Sequence, residues 1–245
     1  YLGNETRSQN AAILEDTVLY IRRSGGSISK IAAMKNAVGN FIDQVTANAT
    51  GDPATNEDDV THRIGIVKFS GNESDQIGND TYRSDGNTYN YSQVVQDLTS
   101  VTGNVQSLKN TVNELAAAGS TRTDFGLNQA QRVLDGDRQH GLGGAREEAK
   151  QVVVVFTDGE PSTFSNWSGG VAANAVNLAK DLKDDKVTVY TIGMFEDADP
   201  SDTDGRFNKY MNGVSSNYPN AEVTNWRGDR TQDWDDCKLG TRVTE

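Results

Sequence analysis

The chain has 245 residues, 35% of them apolar and 24% charged, and carries a formal net charge of -12. That length suits one large α/β domain or two small ones, and 7% aromatic residues argue against a disordered tail. The acid excess sets up a field that repels phosphate and so opposes nucleic acid and anionic membrane as partners. No apolar stretch approaches a membrane span, and the lone Cys237 excludes an intrachain disulfide.

A polar lead-in, residues 1–15, precedes a first strand at Thr17–Ile21. Tyr1 reads as an internal cut from a longer protein, with no signal peptide. A Ser-Gly-Gly-Ser turn follows, then Ile28, Ile31, Val38, Phe41, Ile42 and Val45 at the steps of an amphipathic helix. Ser27 or Ser29 can cap its start. Arg63–Phe69 is a second core strand. Ser70–Tyr91 reads as a long polar loop, the kind that is functional or mobile. Helical spacing resumes with Val94, Val95 and Leu98, and continues through Val105, Leu108, Val112 and Leu115.

The run Ala116–Asp124 closes that helix and opens a turn, after which Phe125, Leu127, Ala130, Val133 and Leu134 mark another helix. Gly141–Glu148 is a linker. Val152–Phe156 is five apolar residues in a row, mostly β-branched, as in strands of parallel sheets buried on both faces. It ends on a polar Thr157-Asp158-Gly159 turn. A helix at about Val171–Leu182, a strand at Lys186–Gly193, an acidic loop at Glu196–Gly205, a short helix at Phe207–Val214 and a strand at Ala221–Thr224 complete the series. The polar tail from residue 226 holds Trp226 and Trp234. Alternating strands and helices define a mainly parallel sheet in one domain.

In an open α/β sheet, ligands sit beyond the carboxyl ends of the strands. Three turns converge there: Arg22–Ser27, Ser120–Thr123 and Thr157–Gly159. Hydroxyls and one carboxylate brought together at that edge suit a hard divalent cation such as Mg²⁺, which takes octahedral oxygen ligands and keeps waters.

With these turns in view, the chain resembles a von Willebrand factor type A domain, over about Asp16 to Thr224. The resemblance rests on the strand-turn-helix pattern Val18–Phe41, on Gly119-Ser120-Thr121-Arg122-Thr123, on Val154–Gly159 and on Val189-Tyr190-Thr191-Ile192-Gly193. Arg63–Phe69, Thr88–Ser92 and Ser215–Asn220 are similar to the A domains of Gram-positive cell-wall or pilus adhesins. The resemblance implies a Rossmann-like three-layer α/β sandwich spanning 16–225, with a mostly parallel six-stranded sheet and one antiparallel edge strand, and residues 226–245 as a polar tail.

It also implies a metal-ion-dependent adhesion site of the form Asp-x-Ser-x-Ser on the first turn, Thr on the second and Asp on the third. Thr121 and Asp158 fill the second and third roles. The first turn departs from the pattern. Read from Arg22 it keeps Ser24 and loses the second Ser; read from Arg23 it keeps Ser27. In both frames an arginine stands where the aspartate belongs. A guanidinium is always charged. At ~4 Å from a cation, an effective dielectric near 20 leaves about 4 kcal/mol of repulsion per unit charge pair. The expectation is a site weakened or lost, with Arg22 or Arg23 neutralising Asp158 in place of the ion, and with Thr121, Asp158 and Glu160 contacting a ligand.

The function expected is adhesion to a protein or glycan at this face, without enzymatic activity, by a monomeric domain within a larger extracellular, cell-wall-anchored protein. The alternatives are a spacer or assembly module of a stalk or pilus with a vestigial site, and an enzyme using Asp158 as nucleophile or base, for which no partner acid or base is in view. Several further patterns are short or expected by chance. They are Ser27-Ile28-Ser29-Lys30, the Asp202–Gly205 hint of a calcium loop, and Asn-x-Ser/Thr triplets at Asn4, Asn48, Asn72, Asn79, Asn90 and Asn166. The tryptophans read as packing residues or rim contacts.

Overall fold

β-Branched residues in unbroken runs pair best where neighbouring strands cover them, and the two strongest runs of the chain find each other. In the computed structural model, which describes residues 18–20, 29–49, 62–164, 166–195 and 197–243, nine strands and five α-helices are present. In chain order they are β1 (Val18–Tyr20), α1 (Lys30–Ala47), β2 (Arg63–Lys68), β3 (Thr81–Ser84), β4 (Asn87–Asn90), β5 (Gln93–Ser100) and α2 (Val105–Glu114). There follow α3 (Thr123–Asp135), β6 (Val152–Thr157), α4 (Gly169–Asp184), β7 (Thr188–Gly193), α5 (Arg206–Val214), β8 (Glu222–Val223) and β9 (Cys237–Lys238). The described residues divide into two compact units: those within 1–27, 120–128 and 148–245 form one, those within 28–119 and 129–147 the other.

The first unit is built on a parallel sheet of order β1-β7-β6. β6 and β7 pair without a break from Val152↔Thr188 to Thr157↔Gly193, and β1 pairs with β7 so that Tyr20 lies beside Gly193. α4 covers the sheet with Val171, Ala172, Ala175, Val176, Ala179 and Leu182, all buried at helical spacing. The small residues let α5 approach closely. A Cβ on Gly213 of α5 would lie 3.1 Å from Val176, tighter than ordinary packing tolerates. Asn177, buried on α4, ties β8 down with both ends of its amide: it donates to Val223 O and accepts from Val223 N.

The second unit is antiparallel. β2 pairs with β5, with irregular register around Ile66, and Ile42, Val101, Leu108 and Val112 form a core between α1, α2 and this ladder. Ser29 caps α1, accepting from Ala32 N, as the sequence suggests. The segment expected to be a loop, 70–91, holds the hairpin β3-β4. Its two-residue turn is Asp85-Gly86, both with positive φ (51° and 80°), the turn whose twist matches that of the strands. Tyr82 stacks on Tyr89 with ring centroids 5.4 Å apart.

Two expectations are corrected here. Val94, Val95 and Leu98 lie on β5, not on a helix. Their spacing fits a helix face by coincidence, because the buried polar Gln93 and the irregular register of the β2-β5 ladder break the alternation that marks a strand. The expected six-stranded sheet, mostly parallel with one antiparallel edge strand, is not seen among the described residues. They contain the three-stranded parallel sheet and three separate antiparallel pairs, β2-β5, β3-β4 and β8-β9.

Lys183 of α4 is a charged group buried in the first unit. It is 8% exposed, and its ammonium donates to the carbonyls of Gly213, Ser215 and Tyr218, closing the C-terminal end of α5. Burial, and to a lesser degree the like charge of Lys180, pushes its pKa from 10.5 down to about 7. The unfolded chain therefore holds this proton up to about pH 10.5 and the folded chain only to about 7. Stability gained from the group rises with pH across that window. Cys237, buried and raised from 9.0 to about 11, acts oppositely, but only above about pH 9. We expect the free energy of unfolding in urea to rise from pH 7 to 9, by at most about 1.4 kcal/mol per pH unit, and the rise to vanish in Lys183→Met. A flat wild-type profile over that range contradicts the assignment.

Candidate functional site

Because β1, β7 and β6 run parallel with Tyr20, Gly193 and Thr157 in register, the chain leaves all three strands at one edge. At that edge Thr157 makes the tight turn. Its buried hydroxyl donates to Gly159 O at 2.9 Å and accepts from Gly159 N, turning the chain so that Asp158 stands exposed. Thr121 sits against this turn: a Cβ on Gly159 would be 3.2 Å from Thr121 Oγ1.

Ser162 locks the arrangement. Thr121 N donates to Ser162 Oγ at 3.0 Å, and Ser162 N donates to Thr121 O at 3.0 Å. Ser162 is 8% exposed, so both bonds are shielded from water. Sequence reasoning does not single it out. Its only cue is its place four residues beyond Asp158, in the same polar loop.

The flanks are held by paired charges. Arg122 grips Asp124 through Nε and NH2, both at 2.8 Å, and lies 3.5 Å from the ring centroid of Phe125. Asp124, nearly fully buried, is in the first turn of α3, where a carboxylate is favoured by the helix dipole. Tyr210 of α5 is fully enclosed. Burial pushes the Tyr210 phenol far above its usual 10.0. Glu160 receives Arg206 NH2 on both carboxylate oxygens, at 2.9 and 2.7 Å, and Arg206 stacks over Trp167. With both partners substantially exposed, this pair orients side chains more than it stabilises the fold.

Thus Thr121, Asp158 and Glu160 are placed on one loop cluster. Arg22, Arg23, Ser24 and Ser27, the first-turn members of the expected site, lie outside the described residues. The hydroxyl of Thr121 and the carboxylate of Asp158 are hard oxygen donors, right in kind for Mg²⁺, but one carboxylate and one hydroxyl fall short of its shell. Among the described residues no group of three or more His, Cys, Asp or Glu could hold a metal. The residues in place do not by themselves fit the ion.

The acidic loop after β7 has a structural explanation. Asp199 Oδ1 accepts from Ser201 N and Oγ, and Asp202 Oδ1 accepts from the backbone N–H groups of Asp204 and Gly205. Asn208 of α5, 6% exposed, donates to Asp197 O and to Asp202 Oδ2, and accepts from Asp199 N. These bonds hold the Asp199 and Asp202 carboxyls below the usual value of 3.8.

A model of the von Willebrand factor type A domain matches residues 21–227, and the chain belongs to that family. Solved structures of similar fold include the pilus adhesin SpaC of Lactobacillus rhamnosus GG, at 17% identity and TM-score 0.51 over 81% of this chain and 27% of that one. Manganese-loaded Plasmodium vivax TRAP is similar at 20% identity and TM-score 0.42, over 89% and 68%. Proximal thread matrix protein 1 of the mussel byssus, with a zinc-occupied MIDAS motif, is similar at 16% identity and TM-score 0.42, over 81% and 40%. The chain thus spans well under half the length of the byssal protein and the pilus adhesin. No curated protein sequence matches it.

Asn208→Ala removes three hydrogen bonds of a buried amide, and a loss of about 1–3 kcal/mol in stability is expected, read by denaturant unfolding. Because the capped carboxylates are depressed in the folded state, the stability they contribute is present above about pH 3.8 and is lost as pH falls below it. The acid limb of the stability profile should therefore be shallower in Asp202→Asn. An Asn208→Ala variant as stable as wild type contradicts this reading of the loop.

Proposed function

We propose that the chain is a non-enzymatic adhesion domain of a bacterial surface protein, and that its ligand, a protein or glycan, docks at the edge carrying Thr121, Asp158 and Glu160. Family membership and the shared fold of a pilus adhesin support an adhesion or ligand-binding role. The observation that carries the placement is the seating of Thr121 Oγ1 against the Thr157–Gly159 turn, clamped by Ser162. It supports reading Thr121 and Asp158 as parts of one adhesion site.

The domain occupies 16–225 and sits in a larger extracellular protein anchored to the cell wall, as a monomeric unit. No described helix is long and apolar enough to cross a membrane. The metal site is weakened or lost. Arg22 or Arg23 occupies the position of the first-turn aspartate, Ser24 and Ser27 offer one hydroxyl in either frame, and the arginine offsets the charge of Asp158. Adding a fixed positive charge while removing an anionic ligand works against the cation on both counts.

Calorimetric titration with Mg²⁺ and with Mn²⁺ tests this. The intact chain is expected to show no site tighter than about 1 mM. Returning the acid, as Arg22→Asp or Arg23→Asp according to the frame in use, is expected to create one. Micromolar binding by the unaltered chain, or equal binding by all three proteins, would sink the proposal.

A further inference from the structure

The three tryptophans divide sharply. Trp167 and Trp234 meet edge to face at 5.3 Å between centroids, and Trp167 meets Tyr210 in the same way at 6.2 Å, so both indoles are absorbed into packing. Trp226 is not: it is 83% exposed, more than any other large apolar side chain among the described residues. Exposure of so large an apolar side chain forgoes stabilisation that the other two indoles obtain.

That exposure is imposed by a well-bonded turn. Asn225 N donates to Asp229 O at 2.8 Å, and Gly228 N donates to Asn225 O at 3.0 Å. The Asn225 side chain accepts from Arg227 N at 2.8 Å and from Asp229 N at 3.1 Å. Gly228 takes a φ of 85°, open to glycine and strained for other residues. A bridge between Thr224 and Arg230 closes the turn at its base, and Arg230 is anchored to Asp181. The guanidinium of Arg227 lies 4.5 Å from the centre of the Trp226 ring. One face of the indole is therefore covered by a cation, and the ring is steadied while its other face is left open.

The surroundings narrow the class of occupant. A protein hot spot is ringed by further apolar contacts that exclude water, within an interface of considerable area. Here the flanking residues Asn225, Arg227, Gly228, Asp229 and Arg230 are polar or lack a side chain. A pyranose fits such a setting. One side of the sugar ring presents a flat patch of C–H bonds about the size of an indole, and its rim of hydroxyls can accept from the Arg227 guanidinium that lies against the indole. The net charge of -12 disfavours an anionic saccharide.

We propose that the Trp226 turn is a binding platform for a neutral pyranose saccharide, separate from the adhesion-loop reading and independent of any metal. The test uses the intact ¹⁵N-labelled chain, with the indole N–H signal of Trp226 identified by its loss in Trp226→Phe. Neutral hexasaccharides of α-linked glucose, β-linked glucose, N-acetylglucosamine and mannose are the probes. At least one is expected to shift the Trp226 indole signal, with a Kd of about 1 mM for a single stacking platform, while those of Trp167 and Trp234 stay in place. Trp226→Ala is expected to unfold at the same denaturant concentration as wild type and to bind that probe about tenfold or more weakly. No shift of the Trp226 signal with any of the four probes overturns the proposal, as does unchanged binding in Trp226→Ala. A Trp226 signal that moves with protein concentration alone overturns it too, since the indole is then taken by a second copy of the chain.

Discussion

Tyr20, Gly193 and Thr157 lie side by side at the ends of three parallel strands, and this register determines where the chain can do chemistry. A parallel strand delivers the residue after it to the same edge as its neighbours'. Shifted by one residue, β6 would turn every side chain to the opposite face, and the Thr157 hydroxyl could not close the turn that presents Asp158. The covering helices keep the sheet in place. α4 packs small apolar residues against it, and Lys183 and Asn177 spend their polar ends on α5 and β8.

Around that edge, charge is managed locally. Arg122 satisfies Asp124, Arg206 satisfies Glu160, and Asp199 and Asp202 cap their own loop. Carboxylates already engaged with backbone N–H groups or guanidinium forks lose those bonds on turning to a cation, so an acidic sequence need not be a cation-binding one. The same logic extends to the proposed fate of Asp158. On that proposal an arginine would supply permanently what an ion supplies reversibly, and recognition would rest on the shape and hydrogen bonding of the loops.

Much of this was legible in the sequence because the relevant signals are local. The β-branched run ending in Thr-Asp-Gly, the Ser29 cap and the helical stripe of α4 each depend on neighbours within a turn or two. What escaped depends on distant partners. β5 reads as a helix until β2 is placed beside it, and Ser162 has no motif of its own until Thr121 arrives to bond both its groups. The Asp85-Gly86 hairpin escaped too, because it lies in a polar stretch where strands lack the apolar alternation that betrays them. Of the tryptophans, only packing could separate Trp226 from the two that meet other rings.

Manganese is paramagnetic, and its broadening of nearby amide signals reports occupancy of the adhesion edge directly. With ¹⁵N-labelled protein, the amides of Thr121 and Gly159 should keep their intensity when one equivalent of Mn²⁺ is added. Selective loss of those two signals, at a metal concentration that leaves the rest of the spectrum intact, would mean that an ion sits where a fixed positive side chain is held to stand.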